Sequence, residues 1–211
     1  MTLLIDCIPF LTADQVLFAS VQTYELFDGE KKLGRFFADL YPRDEKRGGA
    51  WMHGLALESE FPTDAAGHLG LICANVTAPS EGSPALLDHQ EVETLFHEFG
   101  HLMHHLLTEV PIRSMAGTNV AWDFVELPSQ IMENWCWHGE GLRTFAKHHE
   151  TGAEIPEELF SRLLRSRTFR GASQLMRQLG FASLDLALRR ARALGSLLLS
   201  VVGHVELKEA A

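Results

Sequence analysis

"VETLFHEFGHLMHHLL", residues 92–107, decides how this chain reads. Its apolar positions Val92, Leu95, Phe96, Phe99, Leu102, Met103 and Leu106 recur with the period of a helix that buries one face. Just upstream, Asp88 followed three places later by Glu91 makes a capping box, so the helix is expected to start there. Residues four apart stand one above the other on a helix, so His97 and His101 can aim both imidazoles at one point. Glu98 lies about 100° round the axis, off that line but able to grip a water beside it. Zinc accepts imidazole nitrogens at about 2.0–2.1 Å, and H-E-x-x-H presents two of them with a carboxylate base. Taken alone, the five residues fit equally well a helix whose histidines face solvent or cap a core. His104 and His105 belong with that plainer reading and are left outside the metal set.

Upstream of this helix the pattern is that of strands. Tyr24–Phe27 and Leu33–Tyr41 are aromatic and aliphatic and flank Asp28-Gly29, which predicts an antiparallel hairpin. The charged, glycine-bearing stretch 42–49 reads as an exposed loop, and Ala50–Leu57 and His68–Val76 as two further strands separated by a polar turn. Downstream, a second helix is predicted over Asp123–His138, with Pro128 in its first turns or kinking it. More helical segments follow to Arg192, interrupted near Thr151-Gly152 and Gly171. The expected fold class is α+β and mostly helical, a small antiparallel sheet followed by helices, in a single domain over residues 1–211. Trp51, Trp122, Trp135 and Trp137 read as core or packing aromatics.

Composition narrows the function classes. With 211 residues, 46% of them hydrophobic and 22% charged, the chain is globular in composition and long enough for one sizeable core. A net charge of -10 argues against nucleic acid as a partner, since phosphate recognition needs a positive field. The late arginines Arg162, Arg165, Arg167, Arg170, Arg177, Arg189, Arg190 and Arg192 read as the solvated side of amphipathic helices. Cys7, Cys73 and Cys136 are odd in number and show no CxxC pairing, which fits a reducing compartment, so the expected location is cytoplasmic. The run 194–202 is far shorter than the roughly 20 residues of a membrane span, and the N-terminus has no basic n-region, so no membrane partner is expected. No feature of the sequence specifies an oligomeric state.

A hydrolytic zinc site needs three protein ligands and one open position. Glu126, 25 residues after His101 and near the start of the second helix, is the candidate third ligand. An acidic residue in a helix's first turn is also favoured by the macrodipole, so position alone does not assign it.

The longer strings add to this. Residues 92–107 followed by "GTNVAWDFVELPSQIMENWCW", residues 117–137, resemble the thimet oligopeptidase family of zinc metallopeptidases, in its oligopeptidase A and dipeptidyl carboxypeptidase branch. The likeness extends over about 24–189, through "GRFFADLYPRDEKRGGAWM" at 34–52 and "RQLGFASLDLALR" at 177–189. It implies a zincin-like catalytic core in which His97, His101 and Glu126 bind one Zn2+ per chain and Glu98 is general base and proton shuttle. The implied substrates are short peptides, hydrolysed by a zinc-activated water.

Glu93, Gln130 and Glu133 are candidates to accept the other ring N–H of the metal-binding histidines. Gly117 and Thr118 match a family segment near the substrate channel and are candidate substrate contacts. The strand before the zinc helix is expected to offer an edge to an extended peptide. The resemblance also implies relatives about three times longer, with a second helical domain and a later histidine and tyrosine segment that donates to the oxyanion. Here the only tyrosines are Tyr24 and Tyr41. A zinc-binding core without turnover is therefore the alternative to an active peptidase.

Overall fold

The computed structural model describes residues 5–8, 18–57 and 67–209. The chain divides into two compact units, residues 1–155 and 156–211.

The first unit is built on a five-stranded sheet, with strands β1 (Ile5–Ile8), β2 (Gln22–Asp28), β3 (Lys31–Asp39), β4 (Trp51–Ala56) and β5 (His68–Cys73) in the order β1-β2-β3-β5-β4. The β2–β3 hairpin forms as expected, with Asp28 opposite Lys31 and Gly29 at φ 59 in the two-residue turn between them. The sheet is mixed, however: β3 and β5 run parallel, and the other pairs are antiparallel. Consequently β5 lies inside the sheet, and the edge strands are β1 on one side and β4, next to β5, on the other. This corrects the edge expected from sequence, because strand neighbours are set by long-range pairing and not by chain order. The polar turn expected between these two strands falls largely outside the described residues.

Helix α1 (His89–Leu106) lies across this sheet. Asp88 and Glu91 form the reciprocal capping box, with Glu91 N–H donating to Asp88 Oδ1 at 2.8 Å and Asp88 N–H to Glu91 Oε2 at 2.9 Å. The helix lands where three adjacent strands lack side chains. A Cβ added at Gly70 of β5 would sit 2.4 Å from Leu102, one at Gly34 of β3 2.9 Å from Leu106, and one at Gly54 of β4 2.6 Å from His105. Leu102 and Leu106 thereby join Leu26, Phe36, Ala38 and Ile72 in the buried core, with Phe99 edge-on to Phe36 at 6.1 Å. His105 is a buried structural histidine: its Nε2 faces the carbonyls of Ala56 and Leu69 at 3.2 and 3.1 Å, and burial lowers its pKa.

The second helix, α2 (Glu126–Glu133), is shorter than the predicted Asp123–His138 and passes into a 3-10 turn over Asn134–Cys136. Pro128 sits in its first turn, where a missing N–H leaves no helical bond unmade. Helix α3 (Gly139–Phe145) follows. Not all the tryptophans pack: Trp122 is 94% exposed and Trp135 half-exposed. The second unit contains α4 (Glu157–Thr168) and α5 (Gly171–Glu209). Along α5 the apolar Leu175, Leu179, Leu184 and Leu188 are exposed as well as the arginines, so the expected division into a covered and a solvated face is not seen there. Among the described residues, no helix is long and apolar enough to cross a membrane.

The loop after β3 is tied down by a buried ammonium. Lys46 Nζ donates to the carbonyls of Asp39 and Tyr41 at 2.7 and 2.9 Å, to Asp39 Oδ1 at 3.1 Å, and also to the Ala74 carbonyl, while Arg43 grips both Asp39 oxygens at 2.8 and 2.9 Å. Burial disfavours the Asp39 charge, but the bonds and charges of Arg43 and Lys46 outweigh it and hold its carboxyl below the ordinary carboxylate range. A depressed carboxyl contributes its stability above the unfolded-state pKa and loses it as pH falls through the folded value. Lys46→Met should therefore cost about 3 kcal/mol in urea unfolding at pH 7, because it leaves Asp39 and three carbonyls short of a donor. The gap between variant and wild type should narrow as pH falls toward the lowered Asp39 value; a pH-independent gap would contradict this account.

Candidate metal centre

His97 and His101 project from α1, and Glu126 is the first residue of α2. The helices approach closely because Gly100 has no side chain: a Cβ there would lie 2.5 Å from Ser129 Cα and 2.8 Å from the Pro128 carbonyl oxygen. With the backbones this near, Glu126 Oε2 stands 3.2 Å from His97 Nε2 and 3.1 Å from His101 Nε2. The three ligand atoms all lie within 4.8 Å of one another.

Each ring has a distinct environment. His97 Nδ1 is 2.6 Å from Glu133 Oε1, so its outer nitrogen is engaged and Nε2 is turned inward. His101 Nδ1 is buried and has no hydrogen-bond partner among the described residues. Burial lowers the His101 pKa, a change that the nearby Glu126 charge opposes only in part.

Glu98 is 7% exposed. Burial raises its pKa, with the Glu126 charge adding to the rise, and the His97 charge and a bond from the Met52 N–H acting against it. Strand β4 thus holds the carboxylate directly.

A cleft of about 460 Å³ opens beside the donors, walled by Met52, His101, Thr118, Val120, Trp122 and Glu126 among others. Thr118 is on this wall. Gly117 is not; it is buried behind the wall at φ 59, close against the His105 ring, and its N–H donates to Thr108 Oγ1 at 3.1 Å. Of the three proposed partners for the histidines, Glu133 makes the contact. Glu93 accepts from Trp137 Nε1 at 2.5 Å, and Gln130 is exposed, with no side-chain bond to either histidine among the described residues. Sequence reading passed over Met52 and Ser129. The first reaches Glu98 from a strand 46 residues away in the chain, which no local pattern reveals; the second was visible as a small polar residue one turn after Glu126.

The sequence profile of peptidase family M3 matches residues 8–202. The chain belongs to peptidase family M3. Among curated relatives, it is 44% identical to oligopeptidase A of Haemophilus influenzae over 80% of this chain and 25% of the relative. It is 45% identical to the organellar oligopeptidase A of Arabidopsis thaliana over 80% of this chain and 22% of the relative. It is 37% identical to the dipeptidyl carboxypeptidase of Escherichia coli over 79% of this chain and 24% of the relative. The M3 segment described here spans about a quarter of the length of these relatives.

Two outcomes test this packing. Gly100→Ala should destabilise by about 1–3 kcal/mol through overpacking, although alanine is the better helix former. Gly180→Ala, where an added methyl meets open space, should be neutral or stabilising. Urea unfolding followed by circular dichroism measures both, and equal effects would remove the close-approach argument. Cys136 is fully buried, and burial, with the charges of Glu93 and Glu133, pushes its thiol up to about 11. It should resist iodoacetamide at pH 8 until the chain unfolds; rapid alkylation of Cys136 in the native protein, located by mass spectrometry, would contradict its placement.

Proposed function

We propose that this chain is a zinc peptidase core that hydrolyses short peptides, with His97, His101 and Glu126 as metal ligands and Glu98 as general base. The observation that carries the reading is the way His97 is wired. A neutral imidazole that gives its Nδ1 hydrogen to Glu133 keeps only a lone pair on Nε2, and that lone pair faces a carboxylate oxygen 3.2 Å away. In that form Nε2 and the carboxylate oxygen would act together on a cation, and His101 Nε2, 3.1 Å from the same oxygen, would add a third donor. The two distances to Glu126 are close to what zinc requires, since bonds of about 2.0–2.1 Å in a tetrahedron put neighbouring ligand atoms about 3.4 Å apart, against 3.1 and 3.2 Å here, and all three atoms lie within 4.8 Å of one another.

Bound zinc supplies Lewis acidity, polarising a scissile carbonyl and making water easier to deprotonate. The protein's part is to position and to move protons. Glu133 fixes the His97 ring through Nδ1. Glu98, held by the Met52 N–H, takes the proton of the attacking water and delivers it to the leaving nitrogen. The open edge of β4 offers backbone donors and acceptors for an extended peptide, and the cleft with Thr118 and Trp122 accommodates its side chains.

A second reading is favoured by the composition of the cleft. Among the described residues its walls carry no tyrosine, arginine or lysine to receive charge developing on the carbonyl oxygen, and the side-chain amide there, Asn119, already gives its Nδ2 to the Arg113 and Ala116 carbonyls at 3.3 and 3.1 Å; one oxyanion donor is worth about 10²–10³ in rate. On that reading the chain holds zinc and peptide without turnover.

Metal analysis and an internally quenched peptide assay separate the two. The peptidase reading expects one zinc per chain, chelator-sensitive cleavage, and a fall of about 10²–10⁴ in kcat for Glu98→Gln with zinc content intact. Stoichiometric zinc without chelator-sensitive cleavage selects the second reading. Cleavage at the wild-type rate by Glu98→Gln refutes the role given to that residue.

A further inference from the structure

We propose that Ser129 is a positioning residue that sets the Glu126 carboxylate for metal binding, an inference that rests on the zinc reading above. Ser129 is fully buried, and its Oγ lies 2.8 Å from Glu126 Oε2 and 2.9 Å from the Glu126 carbonyl oxygen. Oε2 is the same oxygen that stands 3.2 and 3.1 Å from the two histidine Nε2 atoms. A hydroxyl has one hydrogen to give. The carboxylate is the stronger acceptor because its bond is charge-assisted, and a helix carbonyl already takes the N–H four residues on.

Glu126 needs such a restraint. It begins its helix, and its side chain is 47% exposed, so the carboxylate would otherwise turn freely into solvent. Ser129 is itself immobile, since its Cα is the atom pressed against Gly100. Helix α1 therefore seals the hydroxyl from water and leaves it directed at Glu126. The close approach at Gly100 serves the site twice, by bringing α2 near and by burying the group that orients its carboxylate.

The competing explanation is that Ser129 merely bonds back to the carbonyl three residues earlier and fills the helix contact. A double-mutant cycle on the full chain distinguishes the two. Zinc affinity is measured by competition with a chromophoric chelator, coordination geometry by the visible absorption of the cobalt-loaded protein, and folding by the melting temperature of the metal-free protein.

Ser129→Ala should weaken zinc binding about 10–100-fold and alter the cobalt spectrum. In a Glu126→Ala background the same change should have no further effect on affinity. The proposal is overturned if Ser129→Ala binds zinc as wild type does, if it weakens binding equally in both backgrounds, or if it unfolds the metal-free chain. A wild-type chain that takes up no zinc overturns the metal reading itself, an outcome distinct from tight zinc binding by both wild type and Ser129→Ala.

Discussion

The contact between the backbones of α1 and α2 at Gly100 is the constraint on which the rest depends. Histidines at 97 and 101 place two nitrogens on one helix face, and on the proposed zinc reading a third ligand must come from another element. A Glu side chain at the first position of α2 reaches both rings only if the helices touch main chain to main chain. The missing Cβ at Gly100, against Ser129 Cα and the Pro128 carbonyl, permits that approach. Pro128 fits because it lies in the helix's first turn, and the buried Ser129 is small enough to lie at the contact.

The same logic of close approach fixes α1 on the sheet. Leu106, Leu102 and His105 settle over Gly34, Gly70 and Gly54 on three neighbouring strands, so the helix is held in one lateral position. The two leucines provide apolar burial, while His105 answers the carbonyls of Ala56 and Leu69 where the β4–β5 register shifts. Since β4 also gives the Met52 N–H to Glu98, the sheet positions the proposed base and α2 the proposed ligand, with α1 common to both.

What the sequence disclosed follows from the range of the interactions involved. Helix α1, its capping box and the stacking of His97 over His101 are local, and period and spacing expose them. The β2–β3 hairpin is local as well, and its glycine marks the turn. The parallel pairing of β3 with β5 is not, since it joins segments separated by another strand in the chain; β5, expected at an edge, is therefore interior, and β4 is the edge strand beside it. Likewise, 94% exposure of Trp122 has no local signal, because a tryptophan in a loop reads as a packing residue unless its neighbours in space are known. Ser129 lay between these cases: its spacing from Glu126 was visible, but only the fold shows that α1 covers it.

Electrostatics give the donor set a further property. Glu126, Glu133 and the buried Glu98 crowd around two imidazoles, one of which is driven by burial toward its neutral form. Such a group resists being gathered in a folded protein, since a buried carboxylate loses hydration and a ring driven neutral supplies it no compensating charge. The macrodipole at the start of α2 eases this for Glu126, and the Met52 N–H eases it for Glu98, but both are partial charges. A divalent cation at the point of convergence supplies a full counter-charge to all of them at once. On the proposed reading, metal binding and stability are therefore one equilibrium viewed from two sides: the energy that opposes assembly of the ligands is the energy that makes the assembled site selective for a dication.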